Sequence, residues 1–233
     1  MLPDQADRVG TGLILGEGED EIGFFRSLVK HLALPGIIVE PYVYIKKGRD
    51  GLEHPITGVA AASRTIKALR VRHDFDRITR ICATRDVDDE QITNVMRSLG
   101  DAFGKAGLPT PDQPSSIAGS GDGVRVGVFL LPGQGRGGIL EDLCLDAIRD
   151  DPAWPCLESY FTCLDERGVQ RSGLASMISK AKIHAWLASR EDATLARLGI
   201  AAEKGYIDWE HTAFGPLKNF LRELFDDPSP PRT

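Results

Sequence analysis

The chain has 233 residues, 42% apolar and 27% charged, which suits one α/β domain with an extension and leaves ample material for a buried core. A net charge of −6 argues against a protein that coats nucleic acid by charge alone, and no apolar run is long enough to span a bilayer. The polar start MLPDQADRVG lacks the basic and apolar regions of a signal peptide, and the four cysteines (Cys82, Cys144, Cys156 and Cys163) form no CxxC pair, so reduced thiols and a cytoplasmic location are expected.

Residues 1–10 read as a frayed terminus. A first strand is expected over 11–16 and a helix over 20–34, whose Ile22, Phe25, Leu28, Val29 and Leu32 recur at the helical period and face a sheet. Pro35-Gly36 stops it. Residues 37–45 read as a second strand interrupted by Pro41, a residue that donates no ladder bond and marks a bulge or a place near an edge. Lys46-Lys47-Gly48-Arg49-Asp50-Gly51 is a basic turn, a solvated loop before it is a phosphate contact. A helix over 57–71 places Arg64, Lys67 and Arg70 three apart on one face, with Arg72, Arg77, Arg80 and Arg85 beyond. A solvated face and a nucleic-acid-facing ridge explain that spacing equally well.

A central strand over 78–84 leads to Asp86, and a helix over 89–106 turns Ile92, Val95, Met96, Leu99 and Phe103 inward. Residues 107–123, rich in Pro, Gly and Ser, read as a long surface loop, and 124–131 as a strand ended by Pro132. Gly133-x-Gly135-x-x-Gly138 satisfies the literal dinucleotide fingerprint, but no strand ending in an acid follows about 20 residues later, so no nucleotide cofactor is expected there. Helices follow near 140–150, 153–167, 175–189, 193–203 and 215–225, and the tail 226–233 reads as disordered.

Two stretches carry the chemistry. LILGEGEDE (13–21) and ICATRDVDDE (81–90) are each a short β-prone run that ends abruptly in carboxylates. Strands followed by helices place such residues in the crevice beyond the carboxyl ends of a parallel sheet. If the two strands are neighbours, Glu17, Asp86 and Asp88 converge. Crowded carboxylates repel, so either a proton stays or a cation joins them, and a hard cation such as Mg²⁺ or Mn²⁺ suits oxygen ligands.

Glu17-Gly18 with Glu21, followed by Asp86-Val87-Asp88, resembles the TOPRIM domain of topoisomerases, bacterial primases, recombination mediators and OLD-type (overcoming lysogenization defect) nucleases. Gly138-Ile139-Leu140-Glu141-Asp142 and Ser179-Lys180-Ala181-Lys182 resemble the OLD-type branch, and the whole chain resembles stand-alone bacterial TOPRIM-like proteins of unassigned function. The resemblance implies an α/β, TOPRIM/Rossmann-like, mainly parallel sheet of about four strands with a helical C-terminal extension. Residues 1–150 would form the core, and 151–225 would pack on it and contribute Lys182.

The implied activity is phosphodiester hydrolysis of nucleic acid, DNA ahead of RNA, with Mg²⁺ or Mn²⁺ as cofactor. By resemblance, Asp86 and Asp88 are metal ligands, Glu17 a ligand or general base, and Glu21 and Glu141 complete the shell. Lys182 would offer a fixed positive charge to the transition state, with Lys180 as its twin, and the Gly-rich loop would aim Glu141 at the cluster. Arg64, Lys67, Arg70 and Arg85 would contact nucleic acid.

Plainer readings stand beside these. Glu19 and Asp20 suit a helix start, Glu21 could share that role, Asp88 could cap the next helix, and Glu141 and Asp142 could be helix-start acids. Glu90 stands where topoisomerase-type members carry a third Asp. No GxxxxGK[ST] stretch supplies the ATPase of OLD-type nucleases, so a motor would be a separate partner. The rival readings are a non-catalytic metal-binding or protein-interaction module and a small-molecule phosphoesterase. Self-association stays open, and no membrane partner is expected.

Overall fold

The structure, a computed structural model, describes residues 11–47, 52–120, 123–192 and 197–226. The expected frayed start (1–10), most of the basic turn (48–51), the first residues of the helix expected over 193–203 and all but the first residue of the tail lie outside the described residues.

Five strands form the central sheet in the order β2-β1-β5-β7-β6: β1 (Thr11–Gly16), β2 (Ile37–Pro41), β5 (Ile78–Asp86), β6 (Ile117–Ala118) and β7 (Arg125–Leu131). All neighbours are parallel except the short β6, which runs antiparallel to β7. The central three strands are apolar on both faces because helices cover both. Ile14, Cys82, Phe129 and Leu131 meet α1 (Glu19–His31), α4 (Leu140–Ala147), α6 (Ala175–Ala188), α7 (Leu198–Glu203) and α8 (Gly215–Phe225). Leu13, Leu15, Ile81, Ala83 and Val128 meet α2 (Val59–Ala68) and α3 (Ile92–Lys105). Such two-faced burial is why these strands read as continuous apolar runs rather than alternating ones. The α/β class with a mainly parallel sheet and C-terminal helices is as expected. The sheet has five strands where about four were expected, because Ile117–Ala118, inside the Pro/Gly/Ser-rich segment, adds an antiparallel edge.

Residues 37–45 do not form one strand. β2 ends at Pro41, at the edge of the sheet, and Tyr42 turns fully into the core, where its amide reaches the Gly16 carbonyl (2.7 Å) and its hydroxyl donates to the Thr84 carbonyl (2.9 Å). That inward turn takes the chain out of the sheet. β3 (Val43–Lys47) then pairs with β4 (Glu53–Thr57) in a separate hairpin. β4 escaped the sequence reading because Glu-His-Pro-Ile-Thr is mostly exposed and contains a proline.

α5 (Trp154–Glu166) buries only Leu157 and Phe161, and Lys182 of α6 lies over its Trp154 and Phe161 rings (5.5 and 5.9 Å). α8 lays Leu217, Phe220, Leu221 and Leu224 into the core beside β7. Gly127 and Gly12 make room for it: a Cβ on either would come within 2.7 Å of the Phe220 or Phe225 ring. Cys82 and Cys144 are buried, Cys156 and Cys163 exposed, and all four are free thiols. Among the described residues no helix is long and apolar enough to cross a membrane.

Candidate functional site

β1 and β5 are adjacent, with Leu15 in register with Ala83, so the two acidic motifs leave the sheet side by side. After Gly16 the chain turns into α1, and Glu21 reaches back over that turn. Its Oε2 accepts from the Glu17 and Gly18 amides, and its Oε1 accepts from the Thr84 hydroxyl (3.2 Å). Glu21 is buried, and both oxygens serve the start of α1 and the end of β5. Its plainer reading, a helix-start acid, therefore describes what it does in this structure. Asp142 repeats the device at α4: Oδ2 accepts from the Ile139 amide (2.9 Å) and Oδ1 from the Ser179 hydroxyl (2.5 Å).

Asp86 ends β5, and its Oδ1 accepts from the Leu140 amide (2.8 Å), which ties the motif to the start of α4. Val87 and Asp88 both donate their amides to the Gly138 carbonyl (3.0 and 2.8 Å). Gly138 sits at φ +132, and a Cβ there would come within 2.5 Å of Asp142 Oδ2. The Gly-rich loop thus clamps the Asp-x-Asp turn, and only glycine fits at the clamp. Asp88 itself has φ 49 and an exposed side chain at the rim. It does not cap α3, whose N-cap is Gln91.

Electrostatics mark the cluster. Burial, then the Glu21 charge, pushes Glu17 up from 4.5 to about 8; Asp88 adds to the rise and Arg85 opposes it. Asp86 is raised by burial first, then by Glu21, Glu17 and Glu141. Burial also raises Glu21 against the hydrogen bonds it accepts, and raises Glu141 against the nearby Lys180 charge. Four expected ligands, Glu17, Glu21, Asp86 and Glu141, therefore share one field, with Asp88 at its edge. Among the described residues no three His, Cys, Asp or Glu side chains stand ready-made as a metal cage. Glu21 is turned to the Glu17 and Gly18 amides and the Thr84 hydroxyl, and one oxygen of Asp86 to the Leu140 amide. Glu17 Oε1 is buried without a hydrogen-bond partner. That orphaned oxygen, beside carboxyls raised by burial, would suit a hard divalent cation held by Glu17 and Asp86, with Glu141 or Asp88 as further donors.

The cationic residues fall differently. Lys182 bonds Glu158 of α5 (2.8 Å), and the lysine acting on Glu141 is its twin Lys180. Two residues along a helix turn a side chain about 200° around it, so both cannot face the cluster. Arg85, expected among the nucleic-acid contacts, is instead buried. One of its terminal nitrogens pairs with Glu90, and its Nε lies 3.5 Å from Glu17 Oε1. At the end of β5 its side chain turns inward to the acids rather than out to solvent. Arg70 donates to the Gly107 carbonyl (2.5 Å) and lies over Phe75 (5.9 Å), while Arg64 and Lys67 are exposed on α2. Sequence reasoning had no role for Thr84, Tyr42 or the Leu140 amide, because the contacts that join them to the motifs span 42 to 69 positions of chain.

The sequence model of a family described as "Protein of unknown function (DUF3226)" matches residues 11–226. No curated protein and no solved structure matches the chain.

Proposed function

The chain belongs to the DUF3226 family, and from its site we propose divalent-cation-dependent phosphodiester hydrolysis of nucleic acid, as in TOPRIM nucleases of the OLD type. The observation that carries this reading is the pair Glu17 and Asp86 at the carboxyl ends of two adjacent parallel strands, Glu17 raised by burial and the Glu21 charge, Asp86 by burial and the charges of Glu21 and Glu17. Mg²⁺ or Mn²⁺ bound there would neutralise a phosphate and acidify a water.

The chain's own groups have separable tasks. The Leu140 amide fixes the orientation of the Asp86 carboxyl, and the Gly138 carbonyl fixes the turn that carries Asp88. Glu21 shapes the turn that carries Glu17. With its carboxylate released from protonation, Glu17 accepts a proton from the attacking water. Lys180, beside Glu141, takes the electrostatic role the resemblance gives to a lysine on this helix. Lys67, exposed on α2, is a candidate for a phosphate contact.

The test is cleavage of supercoiled plasmid and single-stranded DNA with Mn²⁺ or Mg²⁺. Metal-dependent cutting is expected, lost on Asp86→Ala and reduced about 100-fold or more on Lys180→Ala. A Lys182→Ala variant retains it. Cutting that survives Asp86→Ala overturns the assignment.

A second reading, a non-catalytic cation-binding or protein-interaction module, draws support from Arg85. Its guanidinium is bound to Glu90 and faces Glu17 in the interior, so it is not offered to a substrate. Mn²⁺ binding that depends on Asp86 without any cutting is the outcome that selects this reading. A separate ATPase partner belongs to the first reading.

A further inference from the structure

Arg85 is nine-tenths buried, yet its bonding is incomplete. The side chain is 5% exposed, and its Nε has no hydrogen-bond partner. The atom it faces, Glu17 Oε1, has none either, and the two stand 3.5 Å apart, beyond good hydrogen-bond length. The other end of the guanidinium is bound to Glu90, whose side chain is half exposed. Two carboxylates therefore compete for one cation, and the outer one holds it. Buried guanidinium and carboxylate groups normally complete their bonds, since an unmade one is costly in low dielectric. A gap left between two such groups is a place where a third charge changes the balance.

We propose that Arg85 is the internal counter-ion of the Glu17 carboxyl and a gate on its cation site, with Glu90 as the latch that holds the guanidinium one bond short of Glu17. This rests on the cation reading of the site given above. With the latch closed, Glu17 Oε1 stays free for a divalent cation, which then repels the guanidinium further onto Glu90. With the latch open, Arg85 closes on Glu17 and competes with the metal for the same oxygen. The sequence Arg85-Asp86-Val87-Asp88-Asp89-Glu90 thus contains both a cation ligand and the device that keeps its neighbour available.

The experiment is Mn²⁺ titration of the full chain by calorimetry, on wild type, Arg85→Gln, Glu90→Gln and the double variant. Arg85→Gln removes the competing charge and tightens binding by about tenfold. Glu90→Gln, a change at a half-exposed side chain, weakens binding by about the same factor. In the double variant the Glu90 effect disappears, because it acts through Arg85. Persistence of the Glu90 effect without Arg85 makes it a plain through-space charge and overturns the latch. Unchanged or weaker binding by Arg85→Gln overturns the gate. If Arg85→Gln does not fold, Glu90→Gln still decides: undiminished affinity rejects the proposal. Wild type that binds no Mn²⁺ rejects the cation site itself, a result distinct from binding that ignores both variants.

Discussion

The carboxyls at the ends of β1 and β5 make the protein's stability depend on pH in an uncommon direction. Burial, with Glu21 second, raises Glu17 from 4.5 to about 8, and Asp86 and Glu21 rise for related reasons. A carboxyl whose folded pKa lies above its unfolded value contributes stability that is fully present below the unfolded value. That contribution is lost as pH rises through the folded one. In chelator, the melting temperature is therefore expected to fall by on the order of 5 °C between about pH 5 and about pH 9. On the proposed cation reading saturating Mn²⁺ flattens the fall, and Asp86→Asn flattens it without metal because an amide does not ionise. A metal-free profile that is level or rises with pH contradicts the buried cluster. The strand-then-acid pattern made Glu17 and Asp86 legible in the sequence. Lys180 and Lys182 could not be separated there, since only the packing of α6 on α4 and α5 decides which helix face meets Glu141 and which meets Glu158. Arg85 was misread for a similar reason: a run of arginines looks like a surface until the strand that carries one is placed inside.

At the scale of elements, α1 carries Glu21 and starts from the Glu17 turn, so its seating controls the site. It crosses α7 at two glycines: a Cβ on Gly23 would lie 2.7 Å from the Gly199 Cα, and one on Gly199 would lie 2.9 Å from the Asp20 carbonyl oxygen. The Gly199 amide also donates to Asp20 Oδ1 (3.0 Å). Backbone, unlike a flexible side chain, cannot step aside, so Gly23→Ala is expected to cost about 1–3 kcal/mol in urea unfolding at constant m-value. A loss of under half a kilocalorie would mean that α7 slides freely along α1. Long, periodic segments such as α1 and α3 were legible because one apolar face recurs at helical spacing. The β3–β4 hairpin was not, because β4 is exposed along most of its length and Pro55 sits in it. The fingerprint Gly133-x-Gly135-x-x-Gly138 is a third case: sequence identified a glycine-dependent loop, and packing gave it the task of clamping Asp88.

For the whole molecule, the decisive question is whether the sheet can stand without the helices after residue 150. One face of the sheet is covered by α1 and α4 together with α6, α7 and α8, and Ile183, Trp186, Leu187, Phe220 and Leu224 share a single core with Ile14, Cys82 and Phe129. Removing the later helices would open much of that face, including the surface of β7 where the Phe220 ring packs tilted against that of Phe129 (ring centroids 5.4 Å apart). Each large side chain so uncovered represents roughly 1.5–3 kcal/mol of lost burial, against a typical total stability of about 5–15 kcal/mol. Five of them suffice to exhaust it. A fragment ending at residue 150 is therefore expected to lack a cooperative unfolding transition and dispersed amide resonances, although it retains Glu17, Glu21, Asp86 and Glu141. In the full chain, Leu224→Ala should lower stability by about 2–5 kcal/mol while leaving the acidic motifs intact. A fragment that folded and bound Mn²⁺ as tightly as the full chain would show that the α/β core is autonomous and that α5 to α8 serve another purpose. The shared core argues the opposite: the helices that close the sheet are the same ones that bring Lys180 to Glu141, so folding and site assembly are one event.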